Sequence, residues 1–399
     1  MISIKDVNFF GKKVLIRVDY NVPIDEQGNV LDDTRIKESI PTIRKVIDDG
    51  GSAILVSHLG RPKGKDKKYS LKPIVNVLEK YLKDRVVFIE ESLEEELEKV
   101  KGKINNAKIV LLENIRFYEG EEKGSEELAK KLASLADVYI NDAFATAHRE
   151  HSSTATVAKF FGKNSYFGFL MENEINNLNK VLFNSERPLT AIIGGAKVST
   201  KIGVIENLIE RVDNLLIGGG MAFTFIKALG GNIGNSLYEP DYLSTALNII
   251  NKSMLKSVNL LLPVDVIIAD EISDKAKIDI KNSYEIPENF KGLDIGPKTI
   301  KKFAEVILRS KTILWNGPMG VFEVTPFNKG TYAISLILSA ATLNGSYTLV
   351  GGGDSISALN QFNLSNFMSY ISTAGGAMLE YLEGKTLPGI YAIEKNFQT

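Results

Sequence analysis

Short apolar runs recur along this chain. Each is followed by glycine or polar residues and then by a stretch of helical spacing. In the first half the runs cover 13–18, 52–56, 86–89, 108–112 and 137–140, with helical stretches at 34–48, 72–83, 92–100 and 125–135. Runs this short and this continuously apolar predict strands buried on both faces. Their alternation with helices predicts βαβ units and a largely parallel sheet. Such a sheet binds ligands outside the carboxyl ends of its strands. The residues just past each run are therefore the ones to read for function.

Past the first run stand Asp19, Tyr20 and Asn21; past the second, Ser57, His58, Leu59, Gly60 and Arg61. The fourth leads to Asn114 and Arg116, and the fifth to Asn141, Asp142, His148 and Arg149. The chain has only ten arginines, and Arg35, Arg61, Arg116 and Arg149 fall at or near these ends. Arginine is favoured where a carboxylate or phosphate must be gripped by two prongs. The pattern predicts a basic bowl for a small polyanion, against the plainer reading that each arginine pairs with a surface carboxylate. His148 and His151 have a spacing that could hold a metal. Without cysteine or a further carboxylate at known spacing, an anion contact or a structural hydrogen bond is the better reading. The acidic run 90–98 reads as a solvated helix face.

In the second half an amphipathic helix at 172–183 precedes a new set of runs, at 189–193, 212–217, 259–262, 312–315 and 347–350. Four of them end in glycine: Gly194-Gly195, Gly218-Gly219-Gly220, Gly317 after Asn316, and Gly351-Gly352-Gly353. Glycine lets backbone come close to a phosphate. Lys197 and Lys201, expected on the helix after the first glycine pair, add mobile positive charge. Asp354 and Ser355 follow the last triplet, where Ser355 could cap a helix and Asp354 could hold Mg²⁺. Gly375 and Gly376, behind Ser372 and Thr373, open another such helix start. Residues 384–390 are expected to run out as an extended tail. Neither the P-loop nor the G-x-G-x-x-G pattern occurs, so a nucleotide site here is of another kind.

Composition narrows the classes. A length of 399 residues suggests two domains of roughly 200 residues each. A net charge of −1 gives no reason to expect nucleic acid. The absence of cysteine removes disulfides, thiol nucleophiles and cysteine-held metals, and suits a reducing cytoplasm. No signal-like or membrane-spanning apolar run is present in the sequence.

The stretches RVDYNVP (17–23), SHLGRP (57–62), ENIRF (113–117), TAHR (146–149), GGAKVSTKI (194–202), IGGGMAFTF (217–225), LPVDV (262–266), GLDIGP (292–297), WNGPMGVFE (315–323), GGGDS (351–355) and GGAMLEYLEG (375–384) occur in that order. Together they make the whole chain resemble the phosphoglycerate kinases. The resemblance implies two Rossmann-like lobes, each a parallel sheet flanked by helices, joined by a helix, with an active-site cleft between them. Residues 1–170 with about 388–399 would bind phosphoglycerate, and 171–387 the nucleotide. It implies reversible phosphoryl transfer between 1,3-bisphosphoglycerate and ADP, giving 3-phosphoglycerate and ATP, with Mg²⁺, by a cytoplasmic monomer with no membrane partner that closes about a hinge. By motif, Arg35 and Lys197 would be catalytic. Asp19, Asn21, Arg35, His58, Leu59, Gly60, Arg61, Arg116 and Arg149 would bind the glycerate. Gly194, Gly195, Ala196, Lys197, Lys201, Gly218, Gly219, Gly292, Asn316, Glu323, Gly352, Gly353, Asp354 and Ser355 would bind the nucleotide, with Asp354 toward Mg²⁺. Gly375 and Gly376 would receive the transferring phosphoryl group.

Three residues depart from the family's usual pattern: Ala145, Thr200 and Ala374 stand where Gly, Asp and Gly are expected. Thr200 removes a carboxylate near the lysine and the metal. Ala374 would stiffen the anion-binding helix start if that position needs a positive φ. A dehydrogenase, a two-lobed anion-binding protein and an inactive relative of the kinases are the alternatives.

Overall fold

The structure is a computed structural model and describes residues 2–398. They divide into two units. The first holds the residues up to Asn176 together with those from Thr386; the second runs from Asn177 to Lys385.

In the first unit, β1 (Lys13–Arg17), β2 (Ser52–Val56), β3 (Val87–Ile89), β4 (Ile109–Leu112), β5 (Val138–Asn141) and β6 (Ser165–Phe167) form one parallel sheet. Its order is β3-β4-β2-β1-β5-β6. Strand addition reverses between β1 and β5, so the ligand crevice of this sheet lies at their carboxyl ends. The helix Thr34–Asp48 lies where its spacing predicts, burying Ile36, Ile43, Val46 and Ile47 against the sheet.

The second unit repeats the plan. The strands β7 (Leu189–Ile193), β8 (Asn214–Ile217), β9 (Asn232–Ile233), β10 (Asn259–Leu261), β11 (Asp265–Ala269), β12 (Ile278–Asn282), β13 (Glu285–Ile286), β14 (Lys291–Ile295), β15 (Thr312–Asn316), β16 (Tyr347–Gly351) and β17 (Tyr370–Ser372) follow in order. Six make a parallel sheet ordered β10-β8-β7-β15-β16-β17, whose reversal falls between β7 and β15. β12, β11 and β14 form a separate antiparallel sheet. The fold is thus α/β with two parallel six-stranded sheets. Among the described residues, no helix is long and apolar enough to cross a membrane.

Several local expectations need correcting. The acidic run is mostly a turn: its helix begins only at Leu97, and Glu91 turns inward to Lys99 and Lys103. Residues 384–390 are not an extended tail. Pro388 opens a helix to Glu394, at the position where its missing N–H costs nothing. That helix buries Ile390 and Ile393, and the Gly389 N–H donates to the Ala147 carbonyl at 2.8 Å. β6 and β17 were unexpected; each is only three residues long.

The long helix Phe169–Leu182 begins in the first unit and ends in the second, and it starts earlier than expected. Its first N–H groups are capped from other elements. Thr42 Oγ1 accepts from Phe169 at 2.9 Å, and Asp142 Oδ1 accepts from Leu170 at 2.9 Å and Met171 at 3.2 Å. Burial pushes the Asp142 carboxyl up from 3.8 to about 6, against the lowering pull of the Thr42 hydroxyl and the two N–H groups. The folded state therefore holds this proton more tightly than the unfolded chain does. The resulting stability is fully present below about pH 4 and is lost as pH rises through about 6. Asp142→Asn removes that titration. Over the same interval its unfolding free energy should fall less than the wild type's, by about 3 kcal/mol, in urea titrations at both ends. Equal slopes for the two proteins would refute this.

Candidate active site

The crevice of the first sheet is crowded with cations. At the end of β1, Arg17 is fully buried; its Nη2 lies 3.1 Å from His58 Nδ1, and its Nη1 donates to the Val18 carbonyl. Arg35, from the first turn of the helix Thr34–Asp48, donates to Asp19 Oδ2 at 2.5 Å. The Gly60 N–H donates to Asn21 Oδ1 at 2.9 Å, and Arg116 Nη1 donates to the Gly60 carbonyl at 2.5 Å. Arg116 Nε lies 3.1 Å from Glu122 without hydrogen-bond geometry, so Nε and Nη2 have no acceptor among the described residues. Arg149 Nε reaches His148 Nε2 at 3.2 Å. Arg61 is exposed and without an ion pair among the described residues. Leu59 is buried, and its carbonyl accepts from Asn114.

The histidines report how positive this bowl is. Burial, then Arg17, Arg116, Arg149 and His151, hold His58 well below the usual imidazole range. Burial, then Arg116, Arg149, Arg17 and His148, pushes His151 down to about 3. Both rings are neutral at pH 7, and the fixed charge comes from guanidinium groups. Their spare donors leave the bowl short of acceptors, which a small polyanion would supply.

The crevice of the second sheet is a glycine-rimmed cavity of about 500 Å³, lined by Gly195, Ala196, Gly219, Gly292, Glu323 and Asp354 among others. Phe223, Leu237, Pro263 and Val321 give it apolar walls suited to a flat base. The glycines divide into two kinds. A Cβ on Gly194 would overlap the Pro318 carbonyl oxygen and stand 2.6 Å from that of Gly317. One on Gly218 would overlap Met319, and one on Gly219 would stand 2.6 Å from Gly195 N. Gly292 lies against the Phe223 ring. These glycines let strand ends and loops pack closely. By contrast, a Cβ on Gly195, Gly353 or Gly375 would have nothing within 4 Å.

Two expectations about the lysines and the serine are corrected. Lys197 is not on a helix: the helix after β7 spans Ile202–Ile209, with Lys201 at its N-cap. Lys197 sits exposed in the preceding loop, and Thr200 Oγ1 donates to its carbonyl at 3.0 Å. Lys201 Nζ donates to Asn316 Oδ1. Burial lowers its pKa, against the opposing charge of Asp354. Ser355 caps no helix. Gly352, with φ +95°, is the N-cap, and the buried Ser355 hydroxyl accepts from the Gly317 N–H at 2.7 Å. Asn316 Nδ2 donates to the Gly351 carbonyl at 2.8 Å, so that side chain ties β15 to β16. Ala374 has no positive φ; the left-handed turn falls on Gly375, φ +50°.

The donor set fits Mg²⁺ in one way. Among the described residues no group of three His, Asp or Glu could cage a metal. Asp354 is exposed in the first turn of the helix Gly353–Gln361 and borders the cavity. Mg²⁺ is commonly held by one or two carboxylates together with substrate phosphates. Asp354 can act as such a carboxylate.

Reading the sequence missed Arg17, Glu121, Ser153 and Phe223. Arg17 carried a signal: a charged residue inside the run 13–18, set among apolar neighbours one position before its end. Glu121 and Ser153 lie 32 positions apart, and only folding pairs them.

Comparison with known proteins agrees with this geometry. The family model for phosphoglycerate kinase matches residues 4–385. The chain is 50% identical over 393 residues to cytosolic phosphoglycerate kinase 3 of Arabidopsis thaliana, covering 98% of each. It is 47% identical over 416 residues to the phosphoglycerate kinase of Porphyromonas gingivalis, covering 98% of this chain and 100% of the relative. Among solved structures, phosphoglycerate kinase from Coxiella burnetii superposes with a TM-score of 0.90 at 43% identity, covering 98% of both chains. That from Pyrococcus horikoshii gives 0.81 at 30% identity over all of both. Two sheets with a ligand crevice each, a cation bowl on one, a glycine-rimmed cavity on the other and full-length similarity agree: the chain belongs to the phosphoglycerate kinase family.

Proposed function

We propose that the bowl of the first unit holds the glycerate and the cavity of the second holds the nucleotide. The family's reaction is reversible phosphoryl transfer between 1,3-bisphosphoglycerate and ADP, giving 3-phosphoglycerate and ATP in glycolysis. The observation that carries the assignment is that each sheet has its crevice at its own switch point. One is lined by guanidinium groups; the other has open backbone at Gly195 and Gly353.

Arg35, Arg61, Arg116 and Arg149 take the phosphate and carboxyl ends of the glycerate, with His58, Asp19 and Asn21 fixing its orientation above Leu59 and Gly60. The base lies between the Phe223 and Leu237 walls beside Gly292, with Glu323 at the ribose end of the cavity. The phosphates lie over Gly195, Ala196, Gly353 and the ammonium of Lys201. Asp354 holds Mg²⁺, which neutralises nucleotide phosphate charge when bound.

A nucleotide phosphate oxygen attacks the acyl phosphate, and a carboxylate leaves. In reverse, the attacking carboxylate is already ionised at neutral pH. No proton moves, so no general base is required. Arg35, Lys197 and the backbone N–H groups at Gly375 and Gly376 cancel charge on the moving phosphoryl group. Direct transfer asks that bowl and cavity be brought together, so hinge closure belongs to this proposal. So do a monomeric state and a cytoplasmic location; several relatives are named cytosolic, and one is named chloroplastic.

The test is turnover of 1,3-bisphosphoglycerate with ADP, with and without Mg²⁺. Mg²⁺-dependent ATP formation is expected. A folded protein with no turnover would overturn the enzyme reading and leave a binding role.

A further inference from the structure

Behind the bowl lies a buried polar chain that touches no open surface. Glu121 is fully buried and accepts twice from one residue: Ser153 N–H at 3.0 Å and Ser153 Oγ–H at 2.6 Å. The same Oγ accepts from Arg17 Nε at 2.9 Å. Because Ser153 gives its only hydroxyl proton to Glu121, the oxygen faces Arg17 as an acceptor. The Arg17 fork is thereby fixed at Nε by Ser153 and at Nη1 by the Val18 carbonyl, and Nη2 is left aimed at His58 Nδ1, 3.1 Å away.

A guanidinium can only donate. His58 Nδ1 must therefore accept, which puts the imidazole proton on Nε2. We propose that the Glu121–Ser153–Arg17 chain is a positioning device. It holds His58 as the neutral Nε2–H tautomer, so that this ring offers the substrate anion a hydrogen-bond donor rather than a charge that varies with pH. The logic is that of an orienting partner fixing an imidazole's tautomer and tilt.

The surroundings agree. The charged groups facing His58 are Arg17, Arg116 and Arg149, with Asp19 Oδ1 at 3.9 Å and the neutral ring of His151 beside them. Burial and the cations all oppose a second proton on the ring. Burial raises the Glu121 carboxyl, with Arg17 and the Ser153 hydroxyl and N–H opposing that rise; it is the pair of Ser153 donors, one on each carboxyl oxygen, that marks Glu121 as the acceptor.

The proposal rests on His58 being a substrate contact. Its test has one arm that needs no turnover. In the ligand-free protein, long-range ¹H–¹⁵N spectra should show His58 with a bare Nδ1 and a protonated Nε2, unchanged between about pH 5 and 8. Glu121→Gln keeps the shape but sets an amide donor against one of the Ser153 donors. It should let His58 exchange between tautomers and raise the KM for 3-phosphoglycerate about tenfold, with the KM for ATP unchanged. Ser153→Ala should do the same by removing the link. Ser153→Thr keeps the hydroxyl and should restore both readings. If Glu121→Gln does not fold, the serine pair decides. Wild-type spectra with the proton on Nδ1 would overturn the proposal. So would Ser153→Ala with the wild-type tautomer and KM. A wild-type protein that shows the predicted tautomer but no kinase activity would count against the functional reading alone.

Discussion

Replacing Lys197 with alanine should lower turnover by about 100- to 1000-fold, while the KM values for ADP and 1,3-bisphosphoglycerate should change only a few-fold. The expectation comes from how the side chain is held. Lys197 makes no ion pair within contact distance among the described residues; its charge acts on the protein only at longer range, on Glu239. The backbone beneath it is fixed. Thr200 Oγ1 donates to the Lys197 carbonyl, and the Lys201 N–H donates to the Val198 carbonyl at 2.8 Å. Ser199 donates to Glu239 through N–H at 2.9 Å and hydroxyl at 2.6 Å. Burial opposes it, but those donors and the charge of Lys197 hold Glu239 below the usual carboxylate range. The held backbone limits where this mobile ammonium can reach, and a charge within reach matters most where negative charge gathers during transfer. Alanine leaves the loop's own bonds intact, so the loss should appear in kcat with the melting temperature unchanged. A fall of less than tenfold, or a rise in KM alone, would make Lys197 an ordinary binding residue. Lys201 offers the contrast. Its ammonium already serves Asn316, so removing it should disturb both β15 and the glycine-rimmed cavity proposed for the nucleotide.

Both sheets were legible in the sequence because strands buried on two faces read as unbroken apolar runs. The bowl was legible because a parallel sheet forces its strand ends to one rim. Tertiary pairings were not. Of the antiparallel sheet, β12 was hidden because it is exposed and carries no buried run, whereas the buried runs of β11 and β14 were legible and went unread. The C-terminal helix was hidden by a proline and glycines that also suit a tail. Ser355 has the residue type of a cap, yet its hydroxyl is taken by Gly317, 38 positions away. The two alanines that stand in for expected glycines cause no strain, since neither Ala145 nor Ala374 has a positive φ. Thr200 does remove a carboxylate, and its hydroxyl is used to close the turn at Lys197. Glycine counts at strand ends carried the nucleotide reading, but they mixed two kinds of glycine that only packing separates.

That mixture yields the second large effect. Gly194→Ala should destabilise the fold by about 3 kcal/mol, because its methyl would overlap a backbone oxygen rather than a side chain able to turn away. The neighbouring backbone is not free to yield. Gly194 N–H donates to Asn316 at 2.9 Å, and Gly195 N–H to Pro318 at 3.0 Å. For a unit of this size that corresponds to a melting temperature lower by roughly 10 °C. Gly353→Ala should behave in the opposite way. Gly353 has an ordinary backbone, opens the helix Gly353–Gln361, and has nothing within 4 Å of the added methyl. Alanine there should leave the melting temperature unchanged or slightly raised, since it is the better helix former. Its methyl would instead occupy the space above the helix N-terminus beside Asp354, where the nucleotide phosphates are proposed to lie. ADP affinity, measured by calorimetry, should fall about tenfold, the loss expected when one charged hydrogen bond cannot form. A destabilised Gly194→Ala that still binds ADP when folded, beside a stable Gly353→Ala that binds poorly, would separate packing glycines from ligand glycines. A Gly353→Ala protein binding ADP as tightly as the wild type would remove the phosphates from this helix start and leave the rim's glycines with packing alone to explain them.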